Sequence, residues 1–478
     1  MLSVNDATIV TRNEDVSDFI IGYFGDGRLQ KIAALLFKKI SKKMTTCTHK
    51  LSSGRAMQVA FSRLLSNEKF TKEEIEESLA KKTNENCMNK KHVLCVQDTI
   101  EVNYSSQPTK KAALGVNRNK KEGENGVKGF LAHPGLIIDA EHNDILGLSS
   151  VKVWTRSNDD NQDKKSSGIE DKESYKWIET AESAKKNITK AETITVIGDR
   201  ESDIYELFDR TPNEDLHLIV RSRHNRGLTT GESIDEHMMR VSPAGRYEIH
   251  LPAITGVRKA RNATIEVKYS SIEIGAPSQA KSTTNSSSNV VNCVEACEIS
   301  TPPGKGKPIV WRLLSTHRIN NFLEAKQIIT WYSWRWNIEQ VFRTMKKKGF
   351  KIEDCEVENI DALLKIFILA IASAVKVLCL VNARDGRTSR MATDMFSEEE
   401  MVLLGLVLRN VNGKTKKQQN HHKQKSLAWA SWIIARLGGW NGCACESPPG
   451  PITIYSGLET FYKYLEGWKL AQQDVCIG

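Results

Sequence analysis

Residues 331–350, WYSWRWNIEQVFRTMKKKGF, place Tyr332, Arg335, Glu339 and Lys346 at offsets of minus seven, minus four, zero and plus seven about the glutamate. On a helix those four side chains share one face. Trp331, Ile338, Val341, Phe342 and Met345 fall on the other, so the spacing predicts an amphipathic helix laid against a sheet. A merely solvated face would more often pair Glu with Lys. One carboxylate flanked by an aromatic ring, a guanidinium and an ammonium instead suits a metal ligand set among phosphate-binding groups. A single glutamate does not hold a metal, so partner carboxylates are needed.

Two aspartates supply them. Val93 to Val96 is a short apolar run leading to Asp98, and Ile194 to Ile197 is another leading to Gly198-Asp199-Arg200. A rigid strand ending in a carboxylate is how an acidic site is built, although a lone Asp there is more often a turn or cap residue. Leu136 to Asp139 and Leu216 to Val220, the latter running into Arg221, read as further strands. Short β-branched runs with helical stretches between them predict an α/β core. Ser157 to Ser174 reads as a polar surface loop.

Outward from this core the texture changes on both sides. Gly25 to about Ala80 has no proline and repeats apolar groups at helical spacing, which predicts a small helical domain over residues 1–80. From Arg226 to about Ser315 short β-type pieces alternate with Ser, Gly and Pro, an expected all-β insertion within a catalytic domain spanning 81–375. Its segment 278–289, SQAKSTTNSSSN, reads as a loop tip. Residues 376–478 are expected to form a helical C-terminal domain.

A chain of 478 residues with 40% hydrophobic and 26% charged residues is long enough for about three domains and excludes a wholly disordered or fibrous protein. Its 68 Lys and Arg against 58 Asp and Glu leave a net charge of +10, which favours a polyanionic partner. Cys443 and Cys445 form a C-x-C and Cys293 with Cys297 a C-x3-C, but neither has a second pair at zinc spacing. The scatter of the cysteines points to a reduced compartment. The N-terminus lacks a basic stretch followed by an apolar core, so export is not expected. Ile366 to Val375, bracketed by Lys365 and Lys376, is too short for a membrane span and reads as a buried helix.

The pattern Y-x2-R-x3-E-x6-K, here Tyr332, Arg335, Glu339 and Lys346, resembles the signature of the insertion-sequence-four family of bacterial cut-and-paste DDE transposases, and within it the Tn-five type. Gly198-Asp199-Arg200-Glu201-Ser202-Asp203 resembles that family's second-aspartate block, and Val96-Gln97-Asp98-Thr99 its first. Phe24-Gly25-Asp26-Gly27-Arg28-Leu29, with Ala60-Phe61-Ser62-Arg63, is similar to its DNA-binding domain, and Ser426 to Gly439 to its C-terminal region. The resemblance implies an RNase H-like core with a β-insertion between Asp199 and Glu339, an N-terminal DNA-binding domain and a C-terminal dimerisation domain. It implies Asp98, Asp199 and Glu339 as catalytic residues holding two Mg²⁺ ions, with Mn²⁺ as a substitute. The expected reaction is a nick at the transposon end, a hairpin, hairpin opening and strand transfer into target DNA. Trp311 would stack on a flipped base, and Tyr332, Arg335, Lys346, Arg200, Arg221, Arg223, Arg28 and Arg63 would contact DNA. The implied setting is the nucleoid in a bacterial cytoplasm.

Two other readings use the same residues: a catalytically dead DNA-binding repressor derived from a transposase, and a structure-selective nuclease without strand transfer. The presence of all three carboxylates opposes the first. Near the C-terminus, Leu458, Phe461, Leu465 and Trp468 form one stripe on an expected helix over Gly457 to Val475, to be covered either by this chain's own core, the ordinary outcome for a terminal helix, or by a second subunit in a homodimer, which the family resemblance favours.

Overall fold

The computed structural model describes residues 19–104, 114, 128–156, 168–251, 260–277, 286–300, 308–346, 349–388, 390–415, 418–443 and 446–475. Helices come first: α1 (Gly27–Lys43), α2 (Thr48–Leu51), α3 (Arg55–Leu65) and α4 (Lys72–Asn86). Asp26 starts α1 by accepting from the Arg28 amide at 2.8 Å, and Thr71 starts α4 by accepting from the Glu74 amide. The apolar stripe expected on α1 is buried at Leu35, Leu36 and Ile40.

The sheet begins with β1 (His92–Gln97), β2 (Ile100–Asn103), β3 (Gly129–Asp139) and β4 (Ile145–Trp154). It continues, after α5 (Tyr175–Asn187), with β5 (Thr193–Gly198), and after α6 (Tyr205–Arg210) with β6 (Leu216–Arg221). β1 lies antiparallel to β3 and parallel to β5, while β5 lies parallel to β6. Both faces of β1 are covered, which its unbroken apolar run requires. Val93 and Cys95 face the core under α5, whereas Leu94 and Val96 face the larger core on the other side. β2 and β4 had not been expected, and β3 is longer than the run Leu136 to Asp139 implied. In the expected loop 157–174, residues 157–167 lie outside the described residues, and Ile169 beyond them is buried in a 3₁₀ turn.

The segment expected as an all-β insertion holds α7 (Ile234–Arg240), β7 (Gly245–Leu251), β8 (Arg261–Gly275), β9 (Ser288–Glu298) and β10 (Val310–Ser315). Two corrections follow. A helix with a Ser233–Glu236 capping box interrupts the strands. The strands also form no separate layer, because β10 pairs antiparallel with β6 and carries the core onward into one ten-stranded sheet of order β2-β3-β1-β5-β6-β10-β9-β8-β7, with β4 also on β3. β9 starts at Ser288, inside the expected loop tip, whose residues 278–285 lie outside the described residues.

The chain returns through α8 (Phe322–Ser333) and α9 (Trp336–Met345) to α10 (Ile360–Ala383), then α11 (Glu398–Val411), α12 (Leu427–Leu437) and α13 (Pro451–Val475). α10 is 24 residues long, enough by length and composition to cross a membrane, yet it lies inside the fold. The expected ten-residue apolar core was cut short at Lys365. That ammonium is buried, donating to the Leu65 and Asn67 carbonyls at 3.2 Å and pairing with Asp361 at 2.5 Å. Ser41 on α1 meets Ser373 on α10 at 2.8 Å, Phe130 on β3 stands edge-on to Phe367 at 5.1 Å, and Arg384 reaches the Pro449 carbonyl at 2.8 Å. N-terminal helices, sheet and C-terminal helices therefore meet on α10. The boundary drawn at 375/376 falls inside this one helix.

Of the two covers open to the C-terminal stripe, the one the family resemblance favours gives way to the chain's own core. Leu458, Phe461 and Leu465 are buried in this chain's own core, with Phe461 edge-on to Phe396 at 5.8 Å, and Trp468 is partly covered by the same core. No second subunit is needed to cover it.

Candidate active site

β1 and β5 are neighbouring parallel strands with Val96 opposite Ile197. Continued two residues beyond its last pair, that register brings Asp98 level with Asp199, each just past the end of its strand. The two expected aspartates thus leave the sheet at the same level. Gly198 precedes Asp199 because a Cβ there would meet Ser202 Oγ at 2.2 Å; that hydroxyl instead donates to the Asp199 carbonyl at 2.7 Å. Asp199 also behaves as a cap, Oδ1 accepting from the Glu201 amide at 2.8 Å, so the cap and ligand readings share one carboxylate.

Glu339 approaches from α9. The expected single helix breaks at Trp334 and Arg335, which leave Tyr332 at the end of α8 and make Arg335 the residue before α9. Both residues keep helical torsions, so the sequence period runs through the break. Arg335 donates from Nη1 to Asp98 Oδ2 at 2.8 Å and from Nη2 to Glu339 Oε1. Its guanidinium thus bridges the two carboxylates. Burial pushes Asp98 up to about 6; Arg335 opposes this, while Asp199 and Glu339 reinforce it. Asp98 therefore senses the charge of both other carboxylates.

A buried imidazole holds both neighbours of Asp98. His133 on β3 pairs through Nδ1 with Thr99 Oγ1 at 2.9 Å. The Gln97 amide nitrogen donates to His133 Nε2 at 3.1 Å and to the Trp177 carbonyl at 3.2 Å, and its oxygen accepts from the Ala181 amide at 3.3 Å. This arrangement leaves the His133 proton on Nδ1, donated to Thr99. Sequence reasoning missed His133, which carries no motif and sits within the irregular run His133-Pro134-Gly135.

The other expected site residues divide. Tyr332 is buried and its hydroxyl pushed up by that burial, with Arg221 among the cations that oppose the shift. Trp311 on β10 is half-buried and packs edge-on against Tyr332 at 5.2 Å. Arg221 ends β6, where Nη2 reaches the Val310 carbonyl at 3.4 Å. Arg200 and Arg223 are exposed beside Asp199 and β6 respectively. Lys346 departs from expectation: it ends α9 in extended torsions and lies 3.7 Å from Glu353, so it does not continue the Arg335–Glu339 face. Arg28 and Arg63 are exposed on the N-terminal helices rather than on the sheet.

Among the described residues, no three His, Cys, Asp or Glu side chains converge as a ready-made metal cage. The donor set still fits a hard divalent cation. Three carboxylates, one of them raised by burial, are balanced by a single guanidinium hydrogen-bonded to two of them. Cys443 is partly exposed and Cys445 lies outside the described residues.

The mixed α/β sheet thus gathers two aspartates from adjacent strand ends and a helical glutamate around one guanidinium. Residues 173–375 match the family model described as transposase DDE domain, a span that contains Asp199 and Glu339 and begins beyond Asp98. That match supports a transposase, in a class that generally uses divalent metal ions. The chain is also similar to a solved cryo-EM structure of the piggyBac transposase synaptic complex with hairpin DNA. The identity is 10%, over 96% of this chain and 84% of that one, at a TM-score of 0.33, a likeness too slight to carry an argument.

Proposed function

We propose that this protein is a DNA transposase of the insertion-sequence-four type, with an RNase H-like core in which Asp98, Asp199 and Glu339 hold two Mg²⁺ or Mn²⁺ ions. The observation that supports the reading is the parallel register of β1 and β5, which continued two residues brings Asp98 level with Asp199, together with the bonds from Arg335 to Asp98 and Glu339. When bound, such ions supply Lewis-acid activation of water and stabilisation of the leaving oxygen. On this reading Arg335, Arg221 and Tyr332 orient a phosphodiester by hydrogen bonds once DNA is bound. Arg28, Arg63, Arg200, Arg223 and Lys346 contact the DNA backbone, in keeping with the net charge of +10. Trp311 offers a ring face to a flipped base once the DNA is bound. The partners are transposon ends and target DNA, the working form is a homodimer, and the setting is the nucleoid of a bacterial cytoplasm.

The test uses the full chain, DNA carrying the inverted repeats that flank its gene, Mg²⁺ and a target plasmid, resolved on denaturing gels. Asp98→Asn, Asp199→Asn and Glu339→Gln are expected to lower nicking at least about a thousandfold, as loss of a group central to phosphoryl transfer does, with end binding retained. Nicking at the parent rate by any of the three removes the assignment. Binding without nicking by the parent indicates a repressor, and nicking without joining a nuclease.

A further inference from the structure

Four residues after Asp199, at the end of the 3₁₀ turn that Asp199 caps, lies Asp203, whose side chain is fully buried. Every lone-pair direction of its carboxylate is used. Oδ2 accepts from the main-chain amides of Arg223 at 2.7 Å and His224 at 3.2 Å. Oδ1 accepts from Arg226 at 2.7 Å (Nη2) and 3.2 Å (Nε), and Arg226 Nη2 also donates to the Asp203 carbonyl at 2.6 Å. A buried carboxylate is costly unless so completely bonded, and removing one partner costs more than the pair returns.

These bonds tie together two segments distant in sequence. One is the turn carrying Asp199 at the end of β5. The other is Ser222–Arg226, the loop that follows β6 and bears Arg223. The loop is anchored at its remaining corners as well: the Ser222 amide donates to the Arg312 carbonyl at 2.9 Å, and the Ile234 amide to the Arg226 carbonyl at 3.0 Å. With its backbone held at both ends and at its middle, the loop leaves the side chains of Arg223 and His224 in solvent. The main chain is thus fixed inward while the cationic side chain faces out, beside the strand end that carries Asp199.

We infer that Asp203, clamped by Arg226, is a positioning residue that presents Arg223 to a DNA phosphate next to the carboxylate centre. The inference rests on the proposed function and names a residue pair that serves it. It acts through the loop, since the Asp203 carboxylate has no access to a ligand.

The experiment measures binding of the full-length protein to a fluorescent random-sequence DNA duplex over a series of salt concentrations. Each lost phosphate contact lowers the slope of log affinity against log salt by about 0.9. Arg223→Ala is expected to lower it by that amount. Asp203→Asn, which keeps the shape but not the charge, is expected to do the same, and the double variant no more than either alone. Arg226→Lys, which keeps a charged donor but not the fork, is expected to fall between parent and Asp203→Asn. A contribution to stability alone would shift the melting temperature and leave the slope in place. An unchanged slope in Asp203→Asn, additive losses in the double variant, or loss of the cooperative melt in both Asp203→Asn and Arg226→Lys overturns the inference. A parent that binds no duplex overturns the proposed function as well; a parent whose strong salt dependence ignores Arg223 and Asp203 overturns this inference only.

Discussion

Arg335 donates to Asp98 across 2.8 Å, joining the start of a helix to the end of a strand 237 residues away. Its second arm reaches Glu339, so one guanidinium balances two of the three carboxylates. Arg335→Ala leaves those carboxylates facing one another uncompensated. The expected loss is about 1–3 kcal/mol, below the figure for a fully buried pair because both partners are partly exposed. The loss should appear in EDTA and shrink on adding Mn²⁺, giving a larger metal-induced rise in melting temperature than in the parent. Arg335→Lys keeps a point charge but not the two-armed geometry and should fall between. An equal metal-induced rise in parent and Arg335→Ala would show that the guanidinium and the cation do not share a place.

His133 grips Asp98 from below, through Thr99 on one side and Gln97 on the other. Burial holds its pKa well below the ordinary value, so it serves as a neutral donor and acceptor. His133→Ala leaves the Thr99 hydroxyl and the Gln97 amide short of a partner and opens a void beside Trp177, whose ring lies 4.5 Å away. A cost of roughly 2–4 kcal/mol follows from the unsatisfied groups and the cavity together. Urea unfolding measures it. Nicking should fall further than DNA affinity, since Asp98 loses its fixed direction while the cationic surface is untouched.

How far the sequence was legible depended on whether an element's partners were local. β1, β5 and β6 were readable because each is a short apolar run closed by a polar residue, and both strand-end aspartates came with them. β3 was readable only in its second half, since Gly129, His133, Pro134 and Gly135 break the pattern of a strand that is nevertheless buried throughout. The break between α8 and α9 left no trace because Trp334 and Arg335 stay helical in torsion. Whether the strands after β6 form a separate domain depends on the pairing of Leu313 with Arg221, and composition carries no record of a pairing. Asp203 stood in view beside Asp199, yet its partners Arg223, His224 and Arg226 are brought to it by the fold alone.

At the opposite end of β1 and β5, Thr195 Oγ1 lies 2.7 Å from His92 Nε2 and 2.7 Å from His317 Nε2, with His217 stacked on His317 at 4.1 Å. Burial, reinforced by neighbouring imidazoles, lowers His92 to about 4 and His317 to about 3. Both are neutral in the fold, whereas an unfolded histidine titrates near 6.5. Below that pH the unfolded chain takes up protons that the fold refuses, so stability falls as pH drops from about 6.5 toward 4, by up to about 1.4 kcal/mol per pH unit for each histidine. Between pH 7 and pH 5 the pair should account for roughly 2–4 kcal/mol of lost stability in urea unfolding. His92→Gln combined with His317→Gln should remove that share of the acid sensitivity. A double variant as acid-sensitive as the parent would assign the loss to other groups.

The last helix sets a test between burial and assembly. Gly457 on α13 meets α12 so closely that a Cβ would fall 1.8 Å from the Ile434 carbonyl oxygen, which brings the two backbones together and turns Phe461 onto Phe396. Phe461 is fully buried, while Tyr464 on the same helix is 52% exposed. Phe461→Ala should therefore cost about 3–5 kcal/mol, the usual range for emptying a phenylalanine site in a packed core, and Phe461→Asp should abolish the cooperative melt by burying an unpaired charge. Tyr464→Asp should leave the melting temperature within a degree or two of the parent, since a surface substitution away from special features changes stability by no more than about 0.5 kcal/mol. Thermal melting with light scattering on the same samples checks all three. A Phe461→Asp protein that melts like the parent and differs only in its association would show that the stripe is covered by a second subunit after all.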